Sequence, residues 1–184
     1  MPDPRRHAPA TLRNREPILA VLRRVLPGSG LVLEVAAGTG EHAAFLAPRL
    51  PGLTWQLTEH DAAALPGIDA HARAAGAANV LPAQVLDAAA PVWPVRAAVA
   101  VFAANIVHIT PWAVTEGLFA GAGRVLPPAG ALVLYGPFKR QGAHTAPSNA
   151  AFDTSLAVQN PAWRIRCVDL ELAPLAGTAG LALD

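Results

Sequence analysis

The run Glu34-Val35-Ala36-Ala37-Gly38-Thr39-Gly40 combines glycines, which permit a tight turn and close backbone approach to a ligand, with carboxylates on either side. Two ligand classes use such a turn. Gly38 and Gly40, with Ala43 beyond them, satisfy the dinucleotide fingerprint, and an acid, Glu59, follows Gly40 by 19 residues. Glu34 beneath the loop and Glu41 beside it point elsewhere, because carboxylates repel a pyrophosphate and suit a ligand carrying an ammonium and a sulfonium. S-adenosylmethionine is such a ligand. The competing reading of Glu34 is a strand-end acid paired with a local arginine. A nicotinamide oxidoreductase ranks lower, since 184 residues leave little room for the substrate domain that many dehydrogenases add.

The other candidates fall where strands should end. Glu59 offers two acceptor oxygens to the paired hydroxyls of a ribose, with Asp61 the alternative if the strand runs longer. Asp87 is placed to accept from an adenine amino group, with Leu86 or Ala88 beside the ring; the alternative is a helix N-cap. A sulfonium ligand reacts by in-line displacement at the carbon next to sulfur, so a site using one must align reactants and exclude water, and a base is optional. Asn105 brings a carbonyl acceptor and His108 a base near neutral pH, both just after an apolar run. Asn105, His108 and Tyr135 are the catalytic candidates, with Asn105 also a cofactor contact; a structural hydrogen-bonding role competes for His108. Downstream, Tyr135, Phe138, Lys139, Arg140, His144, Ser148, Asn149 and Asp153 suit a lid over a small substrate, Lys139 or Arg140 meeting an anionic group, or else an ordinary solvated loop. Trp93 and Trp112 wall a pocket or fill the core.

Positioning these groups requires a sizeable core. Apolar residues make up 53%, charged residues 15%, and the net charge is +1, which excludes a disordered polyelectrolyte and disfavours nucleic acid or a membrane surface as partner. The one cysteine, Cys167, allows no internal disulfide, and no Cys/His spacing resembles a zinc site, so no metal is expected and a reducing cytoplasm is the simplest home. No apolar run backs the early arginines as a secretory signal would, and residues 97–115 read as a buried strand leading into a helix, not a membrane span.

Apolar periodicity predicts a helix over 11–26, with Leu12, Ile18, Leu19, Leu22, Val25 and Leu26 on its inner face. Strands at 31–38, 53–58, 79–86, 97–104 and 131–136 then alternate with helices at 41–50, 62–75 and 112–126. The last two strands are nearly continuous in apolar residues and read as buried. A polar loop and a helix at 149–159 follow. This pattern predicts one α/β domain over 1–184, a mostly parallel Rossmann-like sheet with helices on both faces, and ligands outside the carboxyl ends of its strands.

The segments 13–19 (RNREPIL), 32–47 (VLEVAAGTGEHAAFLA), 53–61, 104–126 (with HITPW), 134–153 (with LYGPFKR and SNAAFD) and 161–166 resemble the methyltransferase-like 26 family. The resemblance implies the class I S-adenosylmethionine-dependent methyltransferase fold and transfer to a small molecule. Cyclisation or elimination of the cofactor, or a non-catalytic scaffold, are the alternatives. It also implies Glu34, Ala36, Gly38 and Gly40 at the loop, Glu59 at the ribose, Asp87 at the adenine, and Arg13 and Asn14 over the methionine end. Ala36 stands where many methyltransferases have glycine, which is tolerable at negative φ, and Pro128-Ala129-Gly130 replaces the commoner Pro-Gly-Gly. Against that resemblance the C-terminal strand hairpin is expected to be shortened or missing. The resemblance makes 169–178 a helix and 181–183 the stub of a strand, whereas apolar alternation over 166–172 would make a strand there. On the first reading the sheet edge is completed by a second copy, giving a homodimer.

Overall fold

The computed structural model describes residues 3–184, which form two compact units. The first takes the chain up to Asp87, then Trp93–Ala103 and Val125–Val133; the second takes Ala88–Val92, Ala104–Arg124 and Leu134–Asp184.

The first unit begins with helix α1 (Pro9–Val25) and then alternates β1 (Gly30–Glu34), α2 (Glu41–Leu46), β2 (Leu53–Glu59), α3 (Leu65–Ala74) and β3 (Val80–Val85). Strands β4 (Ala100–Ala104) and β5 (Ala131–Tyr135) complete a five-stranded sheet of order β3-β2-β1-β4-β5. β1 lies parallel to both β2 and β4, pairing Leu33 with Gln56 on one side and Val101 on the other. Central strands must bury both faces, and Val32, Leu33, Trp55, Leu57, Val101 and Phe102 are all fully enclosed. Pro82, which cannot donate to a ladder, sits in the outer strand β3.

Several expectations need correction. β5 is only half-buried, because it is the other outer strand. On α1 the buried stripe is Thr11, Asn14, Ile18, Leu19 and Leu22, while Leu12 and Val25 face solvent. Ala36 adopts φ +56 and Ala129 φ +65, so both alanines occupy the left-handed backbone that glycine usually fills, at roughly 1–2 kcal/mol each.

In the second unit a 3-10 turn (Ile106–His108) leads into α4 (Trp112–Val125). The expected loop after Tyr135 is instead a small antiparallel ribbon, β6 (Lys139–Arg140) and β7 (Ala143–His144), followed by α5 (Pro147–Gln159). A π-helical turn (Val168–Leu172) runs into α6 (Ala173–Thr178). The helix reading of 169–178 therefore holds. The strand over 166–172 does not form: only Cys167 makes a strand-like bridge, to Lys139. Residues 181–183 form no strand either.

Candidate functional site

The glycine turn after β1 is held by its backbone. Val35 N–H donates to Phe102 O and Ala37 N–H to Thr58 O, each at 2.9 Å, while the Thr58 hydroxyl donates to Glu34 O at 2.8 Å. Gly38 (φ +62) and Gly40 (φ +81) take left-handed conformations. A side chain at Gly40 would strike Ile68, whereas Gly38 faces open space, where a ligand can meet bare backbone.

Glu34 is buried at 1% exposure, and its Oε2 has no hydrogen-bond partner among the described residues. No arginine pairs with it there, so the local ion-pair reading fails. Burial raises its pKa to about 8, so without a cation beside it the carboxyl is mostly protonated at neutral pH. Glu59, at the end of β2, accepts from Gly38 N–H at 2.9 Å and His60 N–H at 2.8 Å, which fixes its carboxylate against the turn. Asp61 accepts from Ala63 N–H and caps the short turn Ala62–Ala64. Asp87 is exposed beyond buried Leu86, whose N–H donates to Glu59 O. A turn and not a helix follows Asp87, which removes the N-cap reading.

Arg13 is exposed on α1, but Asn14 is buried, its Oδ1 2.9 Å from His42 Nε2. Burial lowers the His42 pKa to about 4, so this imidazole is neutral and donates to the Asn14 carbonyl. The chemistry of the turn fits a cationic ligand: an unpaired buried acid beneath it and a fixed carboxylate beside it. Thr39 and Glu41 close the turn, with Glu41 engaged by His7, Ala8 and Thr39.

The second unit builds a different cluster. Asn105 adopts φ +62, which asparagine tolerates, and its N–H donates to Tyr135 O at 2.7 Å. That reversal folds Ile106–His108 inward. His108 is fully buried, edge-on to Phe138 at 5.0 Å, with both ring nitrogens unpartnered among the described residues. Burial, then the nearby Arg166 charge, lowers its pKa to about 4, so it is not the near-neutral base expected from sequence; it is a neutral imidazole across the physiological range. Gly136 is where it is because a side chain there would collide with the His108 ring.

Sequence reading missed Arg166. Its buried guanidinium donates to Val107 O at 3.2 Å and Ala162 O at 3.1 Å and lies over the Trp112 ring at 5.2 Å. It grips the turn that carries His108, a role that no local spacing reveals. Tyr135 reaches the cluster through its backbone, while its side chain is partly exposed. Lys139 and Arg140 are not free for an anionic group, contrary to expectation. Lys139 Nζ pairs with Asp153 at 2.7 Å, where His144 also sits at 3.3 Å, and Arg140 pairs with Asp169 at 3.1 Å.

A mostly parallel sheet of order β3-β2-β1-β4-β5, with a glycine turn after β1 and an acid ending β2, is a Rossmann-like α/β fold. The chain belongs to the family described as "Protein of unknown function (DUF938)", whose pattern matches residues 5–184. Its structure is similar to that of CalO1, a methyltransferase in calicheamicin biosynthesis, in its SAH-bound form, with 21% identity, TM-score 0.73 and coverage of 95% of this chain and 50% of that one. An O-methyltransferase family protein from Burkholderia thailandensis is 21% identical with TM-score 0.76 over 95% of this chain and 53% of that one. The S-adenosylmethionine-dependent methyltransferase SibL, in its apo form, is 21% identical with TM-score 0.75 over 93% and 49%. The chain thus spans about half the length of these structures. Likeness at this identity establishes the fold.

Proposed function

We propose that this chain is an S-adenosylmethionine-dependent methyltransferase acting on a small molecule, related to the methyltransferase-like 26 proteins, in a reducing cytoplasm. The observation that carries this reading is the buried, unpaired Glu34 beneath the glycine turn, with Glu59 fixed beside it by Gly38 N–H. A buried carboxyl with an open lone pair costs stability unless a donor or cation completes it. When bound, S-adenosylmethionine supplies an electrophilic methyl on a sulfonium centre.

With S-adenosylmethionine bound, Glu34 would release its proton to solvent and face the ligand's positive charge, Glu59 would accept from the ribose hydroxyls, with Asp61 the alternate acceptor, and Asp87 would accept from the adenine amino group. Gly38 would offer bare backbone to the ligand, with Ala36 and Gly40 shaping the turn around it, and Arg13 and Asn14, on α1, would lie over the methionine end. Asn105, His108 and Tyr135 are the residues we propose to meet the methyl acceptor. Alignment carries the transfer and a base is optional; with its pKa lowered to about 4, His108 contributes a neutral hydrogen-bonding imidazole and not a proton store. The outer strand β5 pairs with a second copy, which light scattering checks as a dimer that is lost when Val133→Pro blocks the edge.

Calorimetry with S-adenosylmethionine and S-adenosylhomocysteine, followed by product mass spectrometry over a small-molecule panel, tests the reading. Binding with S-adenosylhomocysteine as product supports it. Methylthioadenosine as product replaces transfer with cofactor cleavage, and absence of binding leaves a scaffold.

A further inference from the structure

Three side chains from separate segments of the first unit converge where the chain leaves the glycine turn. His7 precedes α1, Glu41 opens α2, and His71 lies in α3. One candidate ligand atom from each lies within 4.8 Å of the other two. His7 Nδ1 is 2.9 Å from Glu41 Oε1, and the His7 and His71 rings meet edge to face with centroids 5.1 Å apart.

The carboxylate is oriented from behind. Ala8 N–H at 2.7 Å and the Thr39 hydroxyl at 2.9 Å both donate to Oε2, leaving Oε1 to face His7. Burial alone would raise the Glu41 pKa; these hydrogen bonds, with that of His7, outweigh it and hold the carboxyl below its usual range. His71 is buried, and its Nε2–H donates to Arg6 O at 2.8 Å. Supporting bonds of this kind, to a carboxylate oxygen and to a histidine ring, are the ones that orient ligands in metal sites.

We propose that His7, Glu41 and His71 bind a divalent transition metal of the Zn²⁺ type, with water completing its coordination. Two imidazoles and one carboxylate suit borderline ions and not Mg²⁺ or Ca²⁺, which take oxygen ligands. A tetrahedral centre places its ligand atoms about 3.3–3.5 Å apart, so the His7–Glu41 contact opens slightly and the third atom closes in. His7, whose side chain is 69% exposed, is free to make that adjustment. The bound ion ties the segment before α1 to the exit of the glycine turn. This inference does not depend on the methyl-transfer reading.

The test uses the full chain, freed of metal by chelation, at neutral pH. Zn²⁺ calorimetry is expected to show one ion per chain at micromolar affinity or tighter, and Co²⁺ to develop the intense visible absorption of a low-symmetry four- or five-coordinate centre. His7→Ala, an exposed position whose variant is checked for folding by circular dichroism, abolishes both signals. Thr39→Val keeps all three ligands but removes one support of the carboxylate, and weakens Zn²⁺ binding about 10-fold. Absence of stoichiometric binding overturns the site, and so does binding that survives His7→Ala.

Discussion

The turn after β1 and the turn after β4 are both strand-end reversals built on a left-handed residue other than glycine, yet they answer burial in opposite directions. At the first, Ala36 takes φ +56 and the acid Glu34 is pushed up to about 8; at the second, Asn105 takes φ +62 and the base His108 is pushed down to about 4. The physics is the same, because a low-dielectric surrounding disfavours whichever form is charged. The consequences diverge. At neutral pH burial leaves Glu34 a protonated acid and His108 an unprotonated imidazole.

Their supports differ as well. The first turn is braced by a carboxylate on its own N–H, Glu59 to Gly38, and the second by a buried cation on carbonyl oxygens, Arg166 to Val107.

The contrast is broken most severely by pH. Below its unfolded pKa of 4.5, Glu34 is neutral in both states and costs nothing, and above that value the unfolded chain releases a proton that the folded chain keeps. Stability is therefore lost as pH rises towards 8, at about 1.4 kcal/mol per pH unit from this group. Urea unfolding of Glu34→Gln against the natural chain should show the variant gaining about 3 kcal/mol in relative stability between pH 5 and 7.5. A constant difference across that range would mean that Glu34 is ionised in the fold. His108 and His42 act with the opposite sign: their contribution is present above pH 6.5 and lost as pH falls through about 4.

The next largest effect separates the two turns by role. His108→Ala is expected to lower methyl turnover about 100-fold while leaving cofactor affinity intact. Loss of affinity with unchanged turnover of the bound complex would make His108 a cofactor or structural residue. Glu59→Ala should do the reverse, weakening S-adenosylhomocysteine binding by about 2 kcal/mol in calorimetry, since it strips a charged acceptor. Retained affinity would transfer the ribose role to Asp61.

The smallest effect concerns backbone strain. Ala36→Gly and Ala129→Gly should each raise stability by up to about 1 kcal/mol, the relief of a left-handed alanine exceeding the added freedom of the unfolded chain. Thermal unfolding reads both. A loss at either position would show that the alanine methyl packs more favourably than its φ costs.

Much of this protein was legible in its residues alone: local pattern set the alternation of apolar strands and helices, the glycine turn flanked by Glu34 and Glu59 and the placement of Asn105 and His108 after β4, and the family resemblance, against local alternation, set the helix over 169–178. Each is written in neighbouring residues, through side-chain period, turn chemistry or family motif. Tertiary structure decided what depends on distant neighbours. The half-exposed β5, the left-handed Ala36, the pairing of Lys139 with Asp153, the grip of Arg166 on the His108 turn and the meeting of His7, Glu41 and His71 join residues that no spacing connects. The charge states of Glu34 and His108 belong with these, because a carboxyl or an imidazole takes its pKa from what surrounds it in space, and that surrounding exists only once the chain has packed.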